Sequence, residues 1–87
     1  MIIVVNHKIS NPTDFWASAQ AALPELPVEG IQRIIQVLPS PDNTECTCVW
    51  EADSKEALEQ YLRTKVGDAS KETYQEVNVA GAMGLPQ

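Results

Sequence analysis

The sequence is short of positive charge, of histidine and of aromatic side chains, and each shortage excludes something. Its 87 residues carry six Lys and Arg against twelve Asp and Glu, a net charge of −6. Such a chain lacks the clustered cations that displace counterions from phosphates, which argues against nucleic acid as a partner. An anionic membrane surface is disfavoured for the same reason. No stretch approaches the ~20 apolar residues of a membrane span. The opening run Met1-Ile2-Ile3-Val4-Val5 has no basic region before it and no small-residue cleavage site after it. It reads as a buried strand rather than a signal peptide, and the expected location is cytoplasmic.

The single histidine, His7, has no His-x-His or Glu-x-x-His companion, so no metal site is expected. There is no glycine-rich phosphate loop, no Ser-centred elbow and no carboxylate pair joined by spacing. No cofactor is therefore expected, and no motif names a catalytic residue. The two cysteines, Cys46 and Cys48, alternate along a strand and share a face. A disulfide between them would be strained, and two thiols are too few for structural zinc, so they read as reduced core thiols.

What is present is a hydrophobic fraction of 44%, enough for one globular domain over residues 1–87. Met1 to Ile9 reads as strand one. Asn11, Pro12 and Asp14 form a helix start, with Phe15, Ala19, Ala22 and Leu23 as its apolar stripe and Pro24 and Pro27 closing it. Strand two is expected over Ile31–Leu38, a turn over Pro39–Asn43, and strand three from about Thr44 to Ala52. Asp53 with Glu56 repeats the capping pattern for a second helix ending at Val66, with Ala57, Leu58, Tyr61 and Leu62 inward and Gly67 as its stop. Asp68–Glu72 reads as a loop or short helical turn, Tyr74–Val79 as strand four, and Ala80–Gln87 as a small-residue tail. The order β-α-β-β-α-β specifies an α+β, ferredoxin-like fold: a four-stranded antiparallel sheet with both helices on one face.

A sheet with one wet face alternates apolar and polar residues. Here Ile2–Val5, Ile34–Ile35 and Cys48–Trp50 are consecutive apolar runs, which place side chains on both faces. Two helices cover only one. The expected cover for the other is a second copy, so a homodimer through the sheet is predicted.

The Cys48–Asp53 run leading from strand three into helix two, in this element order, resembles the dimeric α+β barrel superfamily. The segment Gly67–Tyr74 with Glu76 and Val77, and the ending Ala82–Pro86, resemble a small uncharacterised bacterial family of that fold. More distantly, the opening strand with Asn6, and Trp50 just before helix two, resemble the antibiotic-biosynthesis-type monooxygenases. Their haem-degrading relatives carry an iron-ligating His on or just after the second helix, where this chain has none.

Two functions are therefore carried forward. One is a small homodimeric protein that binds a small apolar or aromatic ligand, or a protein partner. The other is a cofactor-free monooxygenase-like or isomerase-like enzyme using a cavity between sheet and helices. The expected ligand-binding residues are Asn6, a polar amide inside an apolar strand, Trp50, a flat apolar wall, and Tyr61 near the mouth. Trp16 directly follows Phe15, so one of the two is expected to be exposed or at an interface. Tyr74, Glu76 and Asn78 are expected on one face of strand four, lining a polar pocket or facing solvent.

Overall fold

The computed structural model describes residues 1–85. Four strands, β1 (Ile2–Ile9), β2 (Ile31–Pro39), β3 (Glu45–Ala52) and β4 (Ser70–Glu76), form one antiparallel sheet in the order β2-β3-β1-β4. Two helices, α1 (Pro12–Ala22) and α2 (Lys55–Val66), complete the βαββαβ order. This is the α+β, ferredoxin-like arrangement that the sequence specifies.

Local chemistry sets the helix ends. The Asn11 side chain accepts from the Asp14 backbone N–H at 3.1 Å and donates to the Asp14 carboxylate at 2.9 Å, with Pro12 at the first helical position. At α2 the cap is Ser54 rather than Asp53: its hydroxyl accepts from the Ala57 N–H at 3.0 Å. Asp53 instead accepts from the Gln32 side chain at 2.7 Å. Gly67 stops α2 with φ +49° and ψ −126°, a conformation only glycine adopts without strain. In the β2–β3 turn, Asp42 accepts from the hydroxyls of Ser40 and Thr44 and from the Thr44 N–H.

The core lies between sheet and helices. Ile3, Val5 and Ile9 of β1 pack with Cys46, Cys48, Trp50 and Ala52 of β3, under Phe15 of α1 and Leu58, Leu62 and Val66 of α2. Strand β2 reaches this core through Ile31, Ile34 and Val37, a spacing of three that a flat strand does not allow. Register shifts between Ile31 and Arg33 and between Ile34 and Gln36 restore the inward direction each time.

The sheet face away from the helices carries Ile2 and Val4, both half-buried, and Val49, which is buried outside the main core cluster. Polar and charged side chains ring them. Strand four begins earlier than the sequence suggests, at Ser70 instead of Tyr74, and ends at Glu76. Backbone pairing with β1 recruits the segment that looks like a loop, and Asn78 falls outside the strand. The expected grouping of Tyr74, Glu76 and Asn78 gives way to Ser70, Glu72 and Tyr74. The tail contains a 3-10 turn at Val79–Gly81, and residues 86 and 87 of the expected tail lie outside the described residues.

Candidate functional site

A cavity of about 250 Å³ lies between the helices and the sheet. Phe15 and Trp16 reach it from α1, Cys48 and Trp50 from β3, and Tyr61 and Leu62 from α2. Strand alternation puts Cys46, Cys48 and Trp50 on this one face, and both thiols are free, their sulfurs 3.6 Å apart. Burial pushes both thiols up from the ordinary cysteine value, most strongly Cys48, so they stand as neutral apolar wall.

Trp50 is 4% exposed and meets Tyr61 edge to face, ring centroids 6.2 Å apart. Its indole Nε1–H has no acceptor among the described residues. A buried donor left unmade costs ~1–3 kcal/mol, and native proteins rarely tolerate one. This donor belongs to a residue that lines the cavity.

The second polar feature of the cavity is built across β1 and β4. His7 is 2% exposed and sits directly opposite Glu72 in the sheet register. Its Nδ1 lies 2.8 Å from Glu72 Oε2, and the Ser70 hydroxyl donates to the same oxygen. Burial opposes ionisation of Glu72, but the bonds from His7 and Ser70 and the charge of His7 outweigh it and hold the carboxyl below the usual range. An ionised carboxylate only accepts, so Nδ1 carries a proton, and in the neutral ring that tautomer leaves Nε2 as a lone pair. Nε2 has no hydrogen-bond partner among the described residues, and the ring lines the cavity with Phe15 edge-on at 5.0 Å.

At the mouth, the Tyr61 hydroxyl donates to Glu25 at 2.8 Å, and Lys65 Nζ meets the same Glu25 oxygen at 2.6 Å. Burial, with Glu25 beside it, pushes the Tyr61 phenol up to about 12, so it stays protonated. Glu25 is lowered by its bonds from Lys65 and Tyr61. The ammonium also lies 5.5 Å from the Tyr61 ring centroid, over its face.

Of the three ligand-binding residues expected from sequence, the structure brings together Trp50 and Tyr61. It places Asn6 on the opposite sheet face, which corrects the expectation of one shared pocket. Register pairs Ile3 with Trp50, so the odd positions of β1 share the helix side with Trp50 and the even ones do not. Asn6 is exposed, accepts a 2.7 Å hydrogen bond from the Thr47 hydroxyl, and borders a wider, shallower hollow of about 780 Å³ with Lys8, Leu38 and Thr73. Trp16 is neither in the core nor fully exposed: it is half-buried as cavity wall and stacks edge to face on Phe15 at 4.9 Å.

Sequence reasoning did not find the Ser70–Glu72–His7 chain. The signal was the alternation of Ser70, Glu72 and Tyr74, visible once the strand is extended back to Ser70. Among the described residues no three His, Cys, Asp or Glu side chains converge to hold a metal ion, and no helix is long and apolar enough to cross a membrane. No family model, no curated protein and no solved structure matches the chain.

Proposed function

We propose that this chain is a small homodimeric binding protein whose helix–sheet cavity takes a small apolar or aromatic ligand carrying a hydrogen-bond acceptor. The observation that carries this reading is the unpaired indole N–H of Trp50, a residue that lines a mostly apolar cavity. Ligand sites are mostly apolar with a few placed polar groups, and those for drug-sized molecules span ~300–1,000 Å³. A cavity of about 250 Å³ suits one or two fused rings.

The dimer forms through the open sheet face. Its support is the apolar patch of Ile2, Val4 and Val49, together with Leu38, which is 52% exposed. The resemblance to the dimeric α+β barrel superfamily points the same way. A second reading, a cofactor-free isomerase-like or monooxygenase-like enzyme in the same cavity, is favoured by the base that the His7–Glu72 pair presents there.

Both tryptophans line the cavity, so their fluorescence reports on occupancy. Titration with small quinones is expected to give saturable quenching. Trp50→Phe removes one hydrogen bond of ~0.5–1.5 kcal/mol, so quinone affinity should fall about 2- to 12-fold while Trp16 still reports. Naphthalene, which has no acceptor, should bind both forms alike. Quinone affinity undiminished in Trp50→Phe, or no saturable response to any of these compounds, overturns the reading.

A further inference from the structure

Two residues that line the cavity each carry a polar atom without a hydrogen-bond partner among the described residues, and the two atoms differ in kind. Trp50 Nε1–H is a donor, and His7 Nε2 is a lone pair. A ligand that satisfies both must bring an acceptor to one and a proton to the other. The strand positions of the two residues say how those groups are arranged. Trp50 pairs with Ile3, four residues along β1 from His7, which is about 13 Å along the strand at ~3.3 Å per residue. Both rings line the same cavity from these separate levels. The ligand's acidic proton and its acceptor therefore belong to opposite ends of one flat frame, not to adjacent atoms.

We infer that the cavity takes a planar conjugated phenol or enol, its acidic O–H on His7 and a carbonyl oxygen on Trp50, and that the Ser70–Glu72–His7 chain accepts its proton. This rests on the ligand-binding reading of the same cavity. The O–H bond of the ligand breaks and the proton passes to His7 Nε2, giving an imidazolium. The electron pair stays on the ligand oxygen and spreads through the conjugated frame toward the carbonyl held by Trp50. Glu72, ionised and fixed by Ser70, balances the new charge on the imidazolium at 2.8 Å from Nδ1. No oxidant or second reactant is needed.

The other titratable groups on the cavity do not compete for this role. Cys46 and Cys48 on β3 are held as neutral thiols by burial. Tyr61 on α2 is held as neutral phenol and spends its proton on Glu25. Lys65 on α2 is paired with Glu25 at the mouth. The residues of α1 at the cavity, among them Phe15, Trp16 and Ser18, carry no charge. That leaves His7, whose ring lines the cavity with Glu72 behind its Nδ1, as the group placed to take the proton.

The test uses para-hydroxybenzylideneacetone, whose phenol and carbonyl stand at opposite ends of a conjugated frame, and its para-methoxy ether, which has no acidic proton. The phenolate absorbs at longer wavelength than the phenol. At a pH where the free probe is neutral, the wild-type complex should show the phenolate band, and the ether should bind at least tenfold more weakly. Glu72→Gln loses the anion that orients and charges His7, so it should bind the probe with the band reduced at least tenfold. His7→Gln, of similar size, should abolish the band and serves if Glu72→Gln does not fold. Binding of phenol and ether alike, with the phenol spectrum unshifted, overturns the proton-transfer inference and leaves the cavity reading standing. A phenolate band that survives in His7→Gln also overturns it. Failure of both compounds to bind sinks the cavity reading and this inference with it.

Discussion

Replacing Trp50 by Phe sets two effects of similar size against each other, and their balance tests whether the indole N–H is unpaired. The substitution removes roughly 40 Å³ of buried side chain, which at ~24 cal/mol per Å³ leaves a cavity costing about 1 kcal/mol. Lost apolar contact area adds about another 1 kcal/mol at ~25 cal/mol per Å². On the other side, the variant no longer buries a donor without an acceptor, which relieves ~1–3 kcal/mol. The net change should therefore lie within about 1 kcal/mol of zero. In a domain of 87 residues this moves Tm by no more than ~4–8 °C in either direction. Trp50→Ala removes the same donor, but losing the whole ring outweighs that relief and should cost ~3–5 kcal/mol, a clearly larger drop. Thermal melts and urea unfolding of the three proteins without ligand decide the matter, with m unchanged as the check that only stability moved. If Trp50→Phe loses about 3 kcal/mol or more, the indole N–H is already satisfied in the free protein. The donor on which the ligand site is built would then not be available.

Two further outcomes follow from the geometry. Glu72 has its folded pKa held below the unfolded value, so the stability it contributes is present above ~4.3 and drains away as pH falls through the folded value. Glu72→Gln should thus lower Tm at pH 7, with a deficit that shrinks as pH falls through the folded value; a deficit that stays constant on acidification would refute the assignment. Glu25 and Asp42 are shifted in the same direction, so acid sensitivity is reduced in the variant, not abolished. For the dimer, sedimentation at micromolar concentration should give twice the monomer mass, and Val4→Lys on the open face should return the monomer with the helix-side core intact. A monomeric wild type would end the proposal that a second copy covers this face.

Much of the fold was legible in local chemistry. Asn11 and Pro12 mark the start of α1, Gly67 marks the end of α2, and the alternation Cys46, Cys48, Trp50 sets one face of β3, because caps, positive φ and strand parity depend on neighbours within a few residues. Long-range pairing decided the rest. The run Ile2–Val5 is apolar at both parities, so nothing local says whether Asn6 or His7 faces the helices. Packing under Phe15, Leu58 and Leu62 settles it in favour of His7, and sends Asn6 to Thr47 on the other face. Ser70–Glu72 looks like a loop by composition and becomes strand only because β1 offers an unpaired edge. That pairing sets Glu72 opposite His7. The sequence by itself determined which elements form and in what order, since those are short-range preferences. Only the tertiary structure decided which side chains meet, because strand register and the choice of buried face are fixed by the energy of the whole packed sheet.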